Sequence, residues 1–385
     1  MNKKIILVTH YRIYSASQAL RDYIRKDNLL SLLYVSHPLP LKIPGIEESS
    51  YSEKSIGKKI INKASFGRKN EGVFISSVRD LLSTLIWVFK YGKSNVFIGV
   101  DNLNALAGII LKKIGMVKRV VYYTIDYFPT RFENKILNFI YHSIDKICVK
   151  YADETWNVSE VMVDAREQYN NMDRTIYNRQ HTVPIGIWYE NAPRKEFSQI
   201  DNKKLIFTGH LLAHMGVDLV IRSMPEILKK IPDVRFEIIG GGEEEDRLRE
   251  LVKELKVSKS VKFWGWIRDR SKLEKIMSDG AIGLATFNTE ILDDKVKNAD
   301  PGKIKDYMLL GMPVIATNVI STANAIRKAR CGLIINYQAL DLVNAVVKLL
   351  KNPGLLREYR ENALKYVSKF DYNLIFQKSL RRNLI

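Results

Sequence analysis

Short apolar runs alternate with segments of helical period along most of the chain, and this alternation predicts parallel β-strands connected by helices. In the first half, the predicted strands are residues 4–10, 32–36, 96–100 and 120–125. In the second half, they are residues 205–208, 235–239, 261–264, 281–286 and 314–316. The pattern indicates an α/β protein with doubly wound sheets, in which ligands bind beyond the carboxyl ends of the strands.

A polar, proline-containing segment interrupts this pattern between residues 191 and 204. A chain of 385 residues is too long for one typical core, so two domains of roughly half that length each are expected. We therefore place a linker at residues 193–203, between a first domain at 1–192 and a second domain that begins at 204.

The stretch DPGKIKDYMLLGMPVIAT, residues 300–317, predicts a helix of about three turns followed by a buried strand. Residue types typical of helix ends flank it, namely Asp300, Pro301, Gly311 and Pro313. Gly302 and Lys303 then lie in the first turn. Unpaired N–H groups, the helix dipole and an ammonium group converge there, so the sequence predicts an anion site, with phosphate as the obvious ligand.

Asp306 lies three residues after Lys303, so the two side chains share a face of this helix. A carboxylate at that position can accept both hydrogen bonds of a ribose diol. An ordinary ion pair between the two residues on a surface helix is the alternative interpretation.

This stretch resembles the P-x-K-x-x-E-Y…G-x-P-V-I signature of family 4 and related GT-B glycosyltransferases, the glycosyl transferases of group 1, which handle nucleotide-activated sugars. The matching residues are Pro301, Lys303, Tyr307, Gly311, Pro313, Val314 and Ile315. Asp306 occupies the position of the family's ribose-binding Glu. Asn298 occupies that of its second acidic residue.

Other segments resemble the same family. They are VVYYTIDYFP at 120–129, YADETWNVSE at 151–160, and the loop Gly265, Trp266 and Ile267, which in the family holds the nucleotide base through main-chain atoms. Residues 209–218 resemble the family's G-R-x…K-G-x-D loop, with His210 replacing the Arg and Met215 replacing the Lys. Two fixed cations that would clamp a diphosphate are thereby replaced, which leaves more of that role to Lys303.

The resemblance implies a GT-B fold, with two Rossmann-like domains facing each other across a cleft. The second domain would span 204–370, and a C-terminal helix at 371–385 would return to the first. It also implies retaining transfer of a sugar from a nucleoside-diphosphate sugar to a glycan or lipid-linked acceptor, in cell-surface polysaccharide or glycolipid synthesis, without a metal or other cofactor. The residues expected to be catalytic are Lys303, His210 and Asp126. Those expected to bind the donor are Gly209, Gly241, Trp266, Ile267, Pro301, Gly302, Ile304 and Asp306.

Polar residues also follow predicted strands of the first domain, where contacts to an acceptor are expected. The candidates are Tyr14, Ser15, Ser17, Asp101 and Asn102. Asp126 is the candidate acceptor-side base or orienting group. For Ser17, a simple N-cap of the following helix is the alternative.

The chain contains 61 basic and 42 acidic residues, a net charge of +19, and such a field attracts anionic partners. Zinc-finger spacing, an RRM-type aromatic motif and an arginine-rich arm are all absent from the sequence, so nucleic acid is not an expected partner. Basic residues between 54 and 69, beside an apolar helix with Trp87, Phe89 and Tyr91, favour an anionic membrane surface. An internal helix beside a solvated basic loop is the alternative.

Cys148 and Cys331 lie far apart in apolar contexts, so a reducing compartment is expected. The start MNKKIILVTH predicts a first β-strand rather than a signal peptide. These features predict a cytoplasmic protein, peripheral on the inner face of the membrane. His210 and His214 have no nearby third ligand in the sequence, so no metal is expected.

Two other activities fit the same architecture. A nucleotide-sugar epimerase would need the donor but no acceptor. A non-catalytic glycosyltransferase-like binding protein would fit the altered Arg, Lys and Glu positions.

Overall fold

The computed structural model describes residues 3–10, 14–38, 49–66, 72–175, 177, 179–291, 302–319 and 322–384. The chain divides into two compact units, Met1–Ile185 together with Tyr372–Ile385, and Gly186–Asp371. Residues 193–203, the predicted linker, therefore lie within the second unit, and the final helix belongs to the first.

The first unit is built on one sheet. Its strands are β1 (Lys3–Thr9), β2 (Leu30–Ser36), β3 (Ser50–Ile56), β4 (Lys59–Phe66), β5 (Ser94–Val100), β6 (Val117–Thr124), β7 (Glu154–Asn157) and β8 (Gln180–Thr182). Their order is β4-β3-β2-β1-β5-β6-β7-β8. Pairing is parallel from β2 to β8, whereas β3 and β4 form an antiparallel hairpin at the edge. The sheet reverses its direction of growth at β1, which places a topological switch point between β1 and β5.

Helices connect these strands: α1 (Ala16–Arg25), α2 (Val73–Tyr91), α3 (Asn102–Lys113), α4 (Lys135–Tyr151) and α5 (Val161–Asn170). A buried ion pair stabilises the sheet beneath them, because the Arg166 guanidinium binds both carboxylate oxygens of Asp145 at 2.9 and 3.0 Å. Both side chains are fully buried. Loss of either partner would leave a buried charge unpaired, which typically costs 3–5 kcal/mol.

The second unit has a wholly parallel sheet. Its strands are β9 (Lys204–Thr208), β10 (Arg235–Ile239), β11 (Val261–Gly265), β12 (Ile282–Ala285), β13 (Val314–Thr317) and β14 (Gly332–Ile335). Their order is β11-β10-β9-β12-β13-β14, so the switch point lies between β9 and β12. The helices are α6 (Val217–Lys230), α7 (Glu245–Glu254), α8 (Arg270–Met277), α9 (Gly302–Leu309), α10 (Ala323–Ala329), α11 (Ala339–Leu350) and α12 (Pro353–Val367).

The last helix, α13 (Tyr372–Leu384), packs within the first unit against α1. Lys26 donates to the side-chain oxygen of Asn373 at 2.8 Å, and the Asn383 amide donates to the Glu154 carboxylate at 3.0 Å. The second of these bonds is buried. The helix is thereby fastened at both ends.

Two predictions for the first unit are wrong. The basic stretch 54–69 was interpreted as a solvated loop, but its residues 54–66 lie in the β3–β4 hairpin, because an edge hairpin solvated on its outer strand needs no continuous apolar run. Trp87 was considered a membrane-facing residue, but it is only 9% exposed and stacks on His37 with ring centroids 6.1 Å apart. Tyr91 is buried as well, so Phe89 alone is exposed among the three aromatic residues near the end of this helix.

Candidate functional site

Glycine turns bring three loops of the second unit together at the carboxyl ends of β9, β10 and β11. The Gly209 N–H donates to the Ile239 carbonyl at 3.0 Å, and the Gly240 N–H donates to the Gly265 carbonyl at 2.9 Å. Gly240 has φ +149°, and a Cβ there would lie 1.8 Å from the Gly209 carbonyl oxygen. Only glycine fits this approach, so the sequence sets main-chain groups close together at the edge of the sheet.

Lys303 reaches the same edge from the first turn of α9. Its Nζ lies 3.4 Å from Met215 Sδ, 4.4 Å from the ring centroid of Phe207 and 5.3 Å from that of Phe287. A Cβ on Gly209 would come within 3.2 Å of this ammonium. Because Phe207 belongs to β9 and Phe287 follows β12, the ammonium lies at the switch point of the sheet.

The surroundings of Lys303 also change its acidity. Burial against two rings and a thioether disfavours the charged form and lowers the pKa of the Lys303 ammonium to about 7. Within the described part of the chain, no acidic side chain pairs with it. An incoming anion would therefore meet an ammonium group that no carboxylate of the described residues pairs with.

Buried contacts hold α9 in this position. The Tyr307 hydroxyl accepts from the Thr208 N–H at 2.8 Å and donates to the Leu284 carbonyl at 3.2 Å. Ile304 is buried in the core of the unit. Gly302 is the first residue of the helix, and its added Cβ would touch nothing within 4 Å. The residues predicted before it lie outside the described part of the chain: Asn298, Asp300 and Pro301.

Asp306 pairs with a residue that the sequence did not indicate. Arg270, the first residue of α8, donates from Nη2 to Asp306 Oδ1 at 2.6 Å and from Nε to Glu274 Oε1 at 2.6 Å. The alternative of an ion pair between Asp306 and Lys303 is therefore wrong. The Arg270 side chain links α9 to the helix that follows the Gly265–Ile267 loop, so it connects two parts of the predicted donor site.

His210 lies beside the predicted base-binding loop. Its ring packs against that of Trp266, with centroids 4.7 Å apart, and both side chains are exposed. Ile267 is half-buried against the core. The Gly241 carbonyl accepts from the Leu211 N–H at 3.1 Å, so its main chain is engaged within the turn. The predicted catalytic role of His210 is not tested by these contacts and stays a prediction.

Metal binding was also considered for this region, through His210 and His214. Across the residues that the structure describes, no group of three or more His, Cys, Asp or Glu side chains is arranged to hold a metal ion. None of the described helices is long and apolar enough to cross a membrane.

Two predicted acceptor-side carboxyl groups act on each other in the first unit. Asp101 directly follows β5 with the unusual φ of +66°, and Asp126 follows β6, the neighbouring strand. Burial, followed by the charge of Asp126, raises the pKa of Asp101 to about 7, although Arg131 opposes the shift. Asp101 Oδ1 has no hydrogen-bond partner among the described residues. A strained, half-satisfied carboxyl at a strand end is typical of a ligand site.

The other acceptor-side candidates are more closely tied to the fold. The Asn102 amide donates to the Tyr141 carbonyl at 3.0 Å. Ser15 is the N-cap of α1, with its N–H donating to Gln18 Oε1 at 2.9 Å, so the expectation of a cap at Ser17 is wrong. The Ser17 hydroxyl lies instead 3.2 Å from that of Thr9, and Tyr14 is exposed.

Sequence reasoning missed a buried polar cluster at the same edge. His37 Nδ1 lies 2.9 Å from the Ser50 hydroxyl and its Nε2 2.8 Å from the Thr84 hydroxyl. The Asp80 carboxylate lies 3.6 Å from His37 and 3.8 Å from His10. The signal that could have found this cluster is the position of the two histidines, since His10 ends one predicted strand and His37 directly follows the next.

Comparison with known proteins shows which protein family the second unit resembles. Residues 202–352 match the family of glycosyl transferases group 1. The second unit is therefore similar to that family over most of its length. The glycines at the strand ends, Lys303 and Tyr307 all lie inside the matched group 1 domain, and the predicted resemblance to group 1 glycosyltransferases is confirmed.

Two of the relatives of this chain are named as glycosyltransferases. An uncharacterized glycosyltransferase of Haemophilus influenzae is 29% identical over 165 residues, which is 42% of this chain and 44% of that protein. A phosphatidyl-myo-inositol mannosyltransferase of Mycolicibacterium smegmatis is 20% identical over 245 residues, 63% of this chain and 58% of that protein. The first match thus spans less than half of its relative's length.

Solved structures establish the fold of both units. The Anabaena protein HepE in complex with UDP matches with a TM-score of 0.68 at 14% sequence identity, covering 99% of each chain. An identity this low shows the fold alone. The predicted fold class, GT-B with two Rossmann-like α/β units, is confirmed.

Proposed function

We propose that the protein is a retaining glycosyltransferase that moves a sugar from a nucleoside-diphosphate sugar to a glycan or lipid-linked acceptor. The observation that carries the proposal is the Lys303 ammonium, set among glycine turns at the switch point between β9 and β12. Similarity of the second unit to group 1 supports it. The UDP bound to HepE supports a nucleoside-diphosphate donor.

In this reaction, a bond forms between the acceptor oxygen and the anomeric carbon, and the bond from that carbon to the diphosphate oxygen breaks. The acceptor proton passes to a base or to the departing diphosphate, on which negative charge develops. Lys303 and the free N–H groups at the start of α9 are positioned to stabilise that charge. His210 is retained as a further candidate on the donor side.

The nucleoside would be held beside this charge. Main-chain groups of Gly265, Trp266 and Ile267 would contact the base, and the Asp306 carboxylate would accept from the ribose hydroxyls. Arg270 already occupies one oxygen of that carboxylate. The other oxygen stays available for the ribose.

For the acceptor, we propose Asp126 as the orienting group or base, with Asp101 beside it. The charge of Asp126, which helps to raise the pKa of Asp101, supports this assignment. We also propose a cytoplasmic protein that works at the inner face of the membrane, in polysaccharide or glycolipid synthesis. The mycobacterial relative, named for transfer to phosphatidyl-myo-inositol, supports a lipid-linked acceptor.

A thermal-shift panel of nucleoside-diphosphate sugars tests the proposal, since a ligand that binds only the folded state raises its stability. The donor that stabilises the protein is then incubated with and without lipid-linked acceptors, in EDTA, and the products are separated. Transfer that needs an acceptor and survives EDTA is expected. An epimer formed from the donor alone would identify an epimerase, and binding without turnover in every mixture would identify a non-catalytic protein.

A further inference from the structure

Three helices of the first unit form one layer over its sheet. We call α2, α3 and α4 the helix layer. Each helix precedes the next parallel strand in the row β5, β6, β7, and α3 contacts both α2 and α4. Right-handed crossovers between successive parallel strands put all three on the same face, running in the same direction.

The outward side of α2 is apolar. Its exposed apolar side chains, each between 42% and 69% exposed, are Phe74, Ile75, Val78, Leu82, Ile86 and Phe89. Their spacing of three or four residues places them on one face, about 22 Å long at 1.5 Å per residue. The inward side holds buried polar residues, namely Ser76, Asp80, Ser83 and Thr84. Trp87, Val88 and Tyr91 also pack inward, so the unusual feature of α2 is its outward face, where a helix packed on a soluble domain normally presents polar side chains.

The same character continues across the layer. On α4, the exposed apolar residues are Ile136, Phe139, Ile140 and Ile147. On α3, which lies between the other two helices, Leu103, Leu106 and Ile110 are half-buried. Contiguous exposed apolar surface of this extent marks an interaction site, whereas single exposed residues do not.

The exposed charges of the layer are basic, and most of them lie at one border, with Arg79 and Lys135 nearer the opposite ends of α2 and α4. The acidic residues of the three helices are Asp80 and Asp145, and both are buried. Lysines occupy the C-terminal ends of all three helices: Lys90, Lys112, Lys113, Lys146 and Lys150. Lys112 is paired with Asp153 at 2.7 Å. Lys113 and Lys150 lie 5.5 and 5.3 Å from the ring centroid of Tyr151, on the outside of α4.

We propose that the helix layer docks on an anionic lipid surface. The apolar residues of α2 and α4 would enter the boundary between headgroups and acyl chains, while the lysines at the border would meet lipid phosphates. A second copy of the chain fits less well, since a two-fold contact between layers would bring lysines together without any exposed acid on these helices. This inference rests on the proposed membrane location and names the surface that would contact the membrane. The helix layer takes the place of the surface predicted around residues 54–69 and Trp87.

Vesicle co-sedimentation tests the docking without donor or acceptor. We expect the protein to bind vesicles of phosphatidylcholine mixed with phosphatidylglycerol, to bind pure phosphatidylcholine weakly, and to detach as salt shortens the Debye length below about 8 Å. Ile86→Glu and Phe89→Glu should each reduce binding about tenfold or more. Leu340→Glu is the matched control, because Leu340 is also an exposed apolar residue, on α11 of the second unit.

Several results would overturn the docking. Equal binding of the wild type and Ile86→Glu would exclude α2, and equal binding to both kinds of vesicle would exclude the anionic lipid. A wild-type dimer in size exclusion that Phe89→Glu converts to a monomer, without vesicle binding by either, would assign the layer to a subunit interface. Donor-induced thermal stabilisation, measured on every variant, reports folding and the donor site separately from docking, so failure of one proposal is distinguishable from failure of the other.

Discussion

The carboxyl edges of the two sheets carry different chemistry. In the second unit, the edge consists of glycine main chain and the Lys303 ammonium, with no acidic side chain paired to that ammonium in the described residues. In the first unit, it carries the carboxyl groups of Asp101 and Asp126, and the His37 cluster. One edge is therefore suited to an anion whose charge grows during reaction, and the other to hydroxyl groups and protons.

Removal of the Lys303 ammonium should have the largest effect. We expect Lys303→Ala to reduce transfer on the order of 100-fold or more, because the developing charge on the diphosphate would lose its positioned cation. Initial rates at saturating donor check this. Lys275→Ala, an exposed lysine on α8, is the control and should keep the wild-type rate. Near-wild-type turnover of Lys303→Ala would show that the Lys303 ammonium does not stabilise the departing diphosphate.

The pH dependence of donor binding should follow the same ammonium. Because burial lowers the pKa of Lys303 to about 7, free enzyme loses the cation as the pH rises from 7 to 9. Affinity for UDP should then fall, approaching tenfold per pH unit, while the ligand stays fully charged. Isothermal titration from pH 7 to 9 measures it. Lys303→Arg should flatten the profile, and an unchanged slope in that variant would assign the titration to another group.

The glycine turns and the Lys303 helix at the edge of the second sheet could be predicted from sequence because they are local, whereas their role in donor binding stays a prediction. Gly240, Lys303 and Tyr307 lie in short segments whose spacing already reflects the turn or helix that they form. Arg270 could not be found in this way, since 36 residues separate it from Asp306 and only the folded sheet brings them together. The His37 cluster depends likewise on a residue distant in sequence, because Asp80 lies on α2 whereas His37 follows β2.

Removal of the ion pair between Arg270 and Asp306 should have a smaller effect, limited to binding of the nucleoside part of the donor. Asp306→Asn should weaken UDP binding several-fold, since an amide presents donors to the ribose hydroxyls, whereas Asp306→Glu should retain it. Arg270→Ala should weaken UDP more than UDP with a deoxyribose, because the carboxylate loses its orientation. Titration of both ligands decides this. Arg249→Ala, which breaks a comparable exposed pair with Glu245, is the control.

The buried charges at the two edges should also change the free energy of unfolding with pH in opposite directions. Burial of Lys303 lowers its pKa below the usual 10.5, so the charged form costs stability below about pH 7, and that cost disappears between 7 and 10.5. Asp101 has a pKa raised from 3.8 to about 7, so its cost is absent below about pH 4 and grows as the pH rises to 7.

Asp101→Asn should therefore raise the Tm on the order of 2–4 °C at pH 8 and leave it nearly unchanged near pH 4, where Asp101 is protonated in the folded chain and only about half ionised in the unfolded chain. Asn tolerates the positive φ at this position, so the backbone adds no new strain. Lys303→Met should show the reverse, with its Tm gain present at pH 6 and lost by pH 10. Thermal unfolding across this range measures both variants. A gain from Asp101→Asn that persists at pH 4 would mean that packing, rather than the buried charge beside Asp126, sets the difference between the two edges.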